Sequence, residues 1–207
     1  MSRTDESTLI DTAMRGDRSA MGQLLDRYQH RLFNVVLRMV SNREDAADVT
    51  QDAMLKIVAH FDEFQGKARL TTWMIRIAMN QSISHLRKRR HRQTQSLDDD
   101  GDEGKRKGGA RNTADDREPG PLERVQQNEM IAHLHRAMDN LDQDFRGVLV
   151  LRDIDQMNYQ EIAEVLEVPV GTVKSRLFRA RLALRQEMMR LIDTSAGRRA
   201  SAGGGNG

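Results

Sequence analysis

Hydrophobic and polar residues follow one another along this chain with the spacing of helices, and strand-like alternation is nowhere sustained. Met21, Leu24, Leu25, Tyr28, Leu32, Val35, Val36 and Met39 recur every three or four positions, which lines one face of a long helix. Asn42 offers an N-cap, and Ala46, Val49, Ala53, Ile57 and Phe61 continue the stripe on a second helix ending before Gly66. A third helix is predicted from Leu70 or Thr72 to Arg87 or beyond, with Trp73, Ile77 and Ile83 among its apolar positions. A short helix over Thr8 to Met14, stopped by Gly16, precedes all three. From Gln93 to Pro121 apolar residues almost vanish, which reads as a flexible linker. Helical spacing returns over Leu122 to Met138, Asp144 to Asp153, Tyr159 to Leu166 and Thr172 to Ile192. Thr194 to Gly207 is small, polar and glycine-rich and reads as a disordered tail. The fold class that follows is all-α: two small helical domains, residues 1–92 and 122–193, joined by a flexible linker over 93–121.

Charge changes this picture only through its distribution. The 33 Lys and Arg residues nearly balance 31 Asp and Glu, so net charge does not indicate a nucleic-acid partner. Yet Arg87, Lys88, Arg89, Arg90 and Arg92 crowd together, and Asp98, Asp99, Asp100, Asp102 and Glu103 form an acidic run shortly afterwards. The absence of cysteine excludes disulfides, thiolate zinc sites and thiol redox chemistry, and fits a reducing cytoplasm. No apolar run approaches the roughly 18 residues of a spanning helix, and Met1 to Ser7 lacks a signal peptide's apolar stretch, so a cytoplasmic protein without membrane insertion is expected.

The strongest local signal runs from Tyr159-Gln-Glu-Ile-Ala through Val168-Pro-Val-Gly-Thr-Val-Lys-Ser-Arg-Leu, read as helix, tight turn, helix. Ala163 is the small residue where two helices cross. Pro169 and Gly171 are expected to interrupt the helix, and Thr172 to cap the next. Its polar face carries Lys174, Ser175 and Arg179, with Arg176 and Arg181 nearby, a set suited to base edges and phosphates in the major groove. Leu141 to Arg185 resembles region 4 of the sigma-70 family of transcription initiation factors. The resemblance implies contacts to a minus-thirty-five promoter element from Thr172, Lys174, Ser175, Arg176, Phe178, Arg179 and Arg181. Many members carry arginine where this chain has Lys174, and lysine lacks the planar fork that grips guanine. As an aromatic on a helix, Phe178 fits either core or readout equally well.

In the N-terminal half, Glu44-Asp-Ala-Ala-Asp-Val-Thr-Gln-Asp-Ala-Met-Leu-Lys-Ile-Val followed by Thr72-Trp-Met-Ile-Arg-Ile-Ala-Met-Asn resembles sigma region 2. Asp45, Asp48 and Asp52 share a helix face, an acidic stripe beside the apolar one. Such carboxylates are usually a solvated face, but the resemblance implies that Asp45, Asp48, Gln51 and Asp52 dock on core RNA polymerase. The loop before the third helix carries an aromatic, a glycine and two cations, which suits single-stranded nucleic acid. The family places there a pocket for a base flipped from the minus-ten element, implying contacts from Phe64, Lys67, Arg69, Trp73, Arg76, Asn80, Arg87 and Lys88. Without the family, Phe64 and Trp73 read as core and Asn80 as a solvent-facing residue.

The compact extracytoplasmic-function subgroup is implied, because nothing here has room for the extra domains of housekeeping members. Core RNA polymerase and promoter DNA are the expected partners, an anti-sigma factor is a candidate third, and no metal or cofactor is expected. Promoter elements more than two turns apart demand a reach of about 80 Å. A coil of about 29 residues averages only about 30 Å and spans about 95 Å when fully stretched. Something must therefore extend the linker, and the resemblance implies that polymerase does. Two other readings compete. A stand-alone helix-turn-helix regulator explains only the C-terminal half, and a metal-dependent hydrolase built on Asp48, Asp52 and His60 lacks any phosphate-cradling glycine motif.

Overall fold

The computed structural model describes the backbone of residues 3–97 and 121–203 and the side chains of residues 6–92 and 128–195. Among these residues the chain is all-helical, in two helical parts: α1 (Arg3–Met14), α2 (Arg18–Val40), α3 (Arg43–Ala59) and α4 (Leu70–Leu97), then α5 (Pro121–Asn140), α6 (Gln143–Leu149), α7 (Tyr159–Leu166) and α8 (Val170–Gly203). Most of the predicted linker lies outside the described residues. At its edges α4 continues to Leu97 and α5 begins at Pro121. The tail is helical through Gly203, where a disordered segment was expected from residue 194. Its alanines and arginines are good helix formers, so α8 propagates until glycines accumulate.

Local sequence sets the ends. Gly16 takes φ 90 and stops α1, after which the Asp17 carboxylate accepts from Ser19 N at 2.7 Å and Ala20 N at 3.0 Å to start α2. Asn42 caps α3 as expected, accepting from Asp45 N at 2.9 Å. Phe61, expected at the end of that stripe, sits instead in a separate 3-10 turn, Phe61–Glu63. Asn158 and Glu161 form a reciprocal capping box at α7. The turn into α8 is made by Glu167 in the left-handed conformation (φ 55), not by glycine. Thr172 lies in the first turn of α8 rather than capping it, because Pro169, whose carbonyl accepts from Thr172 N and Val173 N, fits the helix start one turn earlier.

Leu24, Leu32, Val36 and Met39 of α2 close with Ile57 of α3 and with Met74, Ile75 and Met79 of α4, all fully buried. Each such side chain contributes about 1.5–3 kcal/mol over leaving it in water. The second half packs Val148, Leu151, Ile162, Val165, Val173 and Leu177 around the helix-turn-helix.

The two halves join. One continuous cluster of buried apolar residues runs through both, with α4 against α7 and α2 against α6. At Gly147 of α6 a Cβ would stand 3.2 Å from Met79 Cε, so the missing side chain lets α6 come this near to α4. Arg146, 7% exposed, donates to the Met39 carbonyl at 2.6 Å and the Asp139 carbonyl at 2.7 Å, tying α2 to α5. A buried guanidinium is tolerable only with such partners. Arg31 makes a two-pronged pair with Asp155 at 2.7 and 2.9 Å, and the Ser41 hydroxyl donates to the Asp139 carboxylate. Arg38 Nη1 lies 2.7 Å from His135 Nε2. Burial first, then the Arg38 charge, hold His135 below its ordinary value, which favours the neutral ring that can accept this bond.

Candidate nucleic-acid interface

Three exposed surfaces carry the predicted residues. On α3, Asp48, Gln51 and Asp52 are exposed. Asp45 is drawn away toward α4, half-buried beside Arg89 at 3.4 Å and His85 at 3.5 Å. Next to the acidic stripe an apolar groove opens between α2 and α3, lined by Leu25, Phe33, Met54, Leu55 and Val58. Leu55 is 62% exposed. Sequence reasoning missed this groove, although Leu55 and Val58 fall off the buried stripe of Ala46, Val49, Ala53 and Ile57, and apolar residues off the stripe were the available signal. His60 hydrogen-bonds Glu63 at 2.8 Å, and among the described residues no group of three or more His, Cys, Asp or Glu side chains is placed to hold a metal ion as the hydrolase reading needs.

The second surface is a groove formed by the loop that enters α4, lined by Phe64, Gly66, Lys67, Thr72, Trp73 and Arg76. Gly66 takes φ 68, which only glycine adopts without strain. Phe64 and Trp73 are both 9% exposed, with rings 5.6 Å apart, and each packs on Phe61. Phe64 is largely core, as it reads without the family, and contributes only its edge to the groove wall. Lys67 and Arg69 are exposed, as is Asn80 one turn beyond Arg76 on the same side of α4. Arg87 and Lys88 are exposed further along the helix.

On α8 the faces separate cleanly. Val173, Leu177 and Ala180 point inward, while Lys174, Ser175, Phe178 and Arg179 point outward. Phe178 is 74% exposed and therefore not core. Lys174 Nζ stands 5.8 Å from the Tyr159 ring, which steers the ammonium along the turn. The Ser175 hydroxyl donates to the Thr172 carbonyl at 3.0 Å. Arg176 and Arg181 face away from this set: Arg176 pairs with Asp144 at 2.9 Å, and Arg181 with Asp153 at 2.5 Å, a bond that also raises the Arg181 pKa. No helix among the described residues is long and apolar enough to cross a membrane.

Geometry alone describes a helical protein with one acidic and apolar face and two cationic, aromatic ones. Residues 24–92 match the family model described as Sigma-70 region 2, and residues 132–184 the one described as Sigma-70, region 4. The chain is 32% identical over 203 residues to the RNA polymerase sigma-H factor of Pseudomonas aeruginosa, covering 93% of this chain and 98% of that protein. It is 33% identical over 189 residues to the ECF RNA polymerase sigma-E factor of Escherichia coli K12, covering 90% and 96%. Among solved structures it is similar to the sigma factor RpoE from Bartonella quintana, crystallised with the anti-sigma factor NepR (TM-score 0.62, 25% identity, 81% of this chain and 96% of that one). The chain belongs to the sigma-70 family, in its extracytoplasmic-function group, and directs promoter-specific transcription by RNA polymerase.

Proposed function

We propose that α3 docks the chain on core RNA polymerase through Asp48, Gln51, Asp52 and the apolar groove beside them. Residues 122–193 then read the minus-thirty-five element with Lys174, Ser175, Phe178 and Arg179, while Arg176 and Arg181 brace the helix-turn-helix. The loop and α4 of residues 1–92 receive an unpaired minus-ten base: Lys67, Arg69, Arg76, Arg87 and Lys88 meet phosphates, and Asn80 meets the base edge. Phe64 and Trp73 support the groove wall, and Asp45 holds α4 in place. No covalent chemistry is assigned to the chain, and it works in the cytoplasm. An anti-sigma factor is a further partner, supported by the Bartonella relative having been solved with one.

The carrying observation is that one chain exposes both an acidic, apolar face on α3 and a cationic, aromatic face on α8. A regulator acting only on operators needs just the second. Asp48→Arg with Asp52→Arg is expected to weaken core binding at least tenfold with helix content intact, since both side chains are exposed and the reversal sets like charges against a complementary surface. A core-binding titration with circular dichroism measures both. Unchanged affinity with an unchanged fold removes α3 from the interface, and run-off transcription that ignores the chain would favour the operator-binding reading.

Arg179→Ala is expected to cost about 1–3 kcal/mol on the preferred minus-thirty-five sequence and to relax discrimination at one base pair. Electrophoretic titration across single-base variants and salt concentrations checks it. An equal loss on every sequence, with a salt slope flatter by about one, would make Arg179 a phosphate contact instead.

A further inference from the structure

The outward side chains of α8 are not equivalent in what they can offer DNA. Arg179 is exposed and carries a planar fork of donors that can meet two acceptors of one guanine at once. Lys174 carries a point charge whose three donors radiate, so it meets acceptors one at a time. It is also held. Its Nζ lies 5.8 Å from the centre of the Tyr159 ring, inside the range in which a ring face attracts an ammonium.

The ring that holds Lys174 is fixed by its own neighbours. Tyr159 opens α7 directly after the Asn158 cap, whose capping box with Glu161 pins the first turn. The ring is half-buried and packs against the core. The Arg152 guanidinium lies 5.0 Å from the same ring, and its Nη1 donates to the Met157 carbonyl at 2.8 Å, which ties that cation to the bend before α7. Gln156, in the left-handed conformation (φ 59), belongs to this bend. Lys174, exposed on a flexible four-carbon stem, therefore comes to the ring rather than the ring to it.

We propose that Tyr159 is a specificity-determining residue of the minus-thirty-five surface: it draws the Lys174 ammonium back over the turn between α7 and α8, so that Lys174 contributes charge toward the DNA backbone while base discrimination rests on Arg179. This deepens, and rests on, the reading of α8 as the helix that meets the minus-thirty-five element. A guanidinium in the place of Lys174 would behave differently, because it stacks on a ring while its in-plane donors still reach past the edge to two acceptors. An ammonium on the same ring has no second set of donors to project. The element preferred by this chain is therefore tolerant at the base pair facing Lys174 and strict at the one facing Arg179.

The test selects binding sites for holoenzyme from a duplex library randomised over the minus-thirty-five element, then titrates single-base variants of the selected sequence at several salt concentrations. Lys174→Ala should lower affinity by a similar factor on every variant and flatten the salt slope by about one, the mark of a lost phosphate contact. Lys174→Arg should create a guanine preference of about fivefold or more at one base pair. Tyr159→Leu keeps apolar bulk but removes the ring, so Lys174 should reach base acceptors and raise selectivity at that same base pair by about two- to fivefold, the weight of an exposed cation–π contact. Tyr159→Phe keeps the ring face and should match the parent. Circular dichroism checks that each variant folds, and if Tyr159→Leu does not, Lys174→Ala and Lys174→Arg decide. Selectivity relaxed at a single base pair in Lys174→Ala would make Lys174 a base reader and overturn the proposal, as would a folded Tyr159→Leu that selects the parent's sequence with the parent's stringency. If Lys174→Ala and Arg179→Ala both bind every duplex like the parent, the reading of α8 itself is overturned instead.

Discussion

Trp73→Ala is expected to lower the unfolding free energy by about 3–5 kcal/mol, the range for truncating a buried tryptophan. Trp73 is 9% exposed, set edge-on to Phe61 with centroids 6.1 Å apart and tilted against Phe64 at 5.6 Å. Its loss would leave two rings facing a cavity beneath the groove, at the start of α4. Against a total stability of roughly 5–15 kcal/mol, this is enough to depopulate the folded state appreciably. As the chain's only tryptophan, Trp73 cannot serve as the reporter in its own mutant, so urea unfolding is followed by circular dichroism. Trp73→Phe should recover most of the stability, because the ring contacts persist. A loss below about 1 kcal/mol in Trp73→Ala would mean that the side chain is a surface element rather than part of the wall.

The same cluster shows where sequence periodicity is informative and where it stops. Helices with one buried stripe were legible because their residues repeat at three and four: Leu24, Leu32, Val36 and Met39 are all in the core. Caps at Asn42 and the stop at Gly16 were legible from side-chain chemistry alone. Thr172 was misread because a good N-cap residue and a proline three positions earlier compete to define a helix start, and proline's fixed φ prevailed. Phe178 could not be assigned from spacing, since the register of α8 does not reveal which side faces the rest of the fold until Val173 and Leu177 are seen buried together.

Contacts between the halves were illegible for a different reason. Arg146, Gly147, Asp155 and Glu161 lie far in sequence from Met39, Met79, Arg31 and Arg69, and no local pattern encodes a partner at that separation. Beyond the two helical domains that the sequence indicates, the described residues of both halves share one buried cluster and pack together. The reach of about 80 Å between promoter elements therefore requires more than extension of residues 93–121. It also requires that these contacts break, and the polar ones among them are individually weak where exposed.

Asn80→Ala is expected to impair open-complex formation on duplex promoters while leaving polymerase binding and minus-thirty-five recognition unchanged. Asn80 is exposed one turn beyond Arg76, whose side chain lines the groove, and its amide can both donate to and accept from a base edge. Extracting a base costs a few kcal/mol of stacking and pairing, met by stacking and edge hydrogen bonds in the pocket. Losing one such bond, with its partner left unsatisfied, costs about 1–3 kcal/mol, or roughly 5- to 150-fold in the open-complex equilibrium. Because the side chain is exposed and bears no core packing, helix content should not change, which separates this defect from the unfolding expected of Trp73→Ala. A premelted template removes most of the unpairing cost, so the deficit should shrink there. Permanganate reactivity of thymines in the minus-ten element, compared on duplex and premelted templates, reads both effects. Equal reactivity of Asn80→Ala and parent on duplex DNA would return Asn80 to the role of an ordinary solvent-facing helix residue and move the base contact to Lys67 or Arg76.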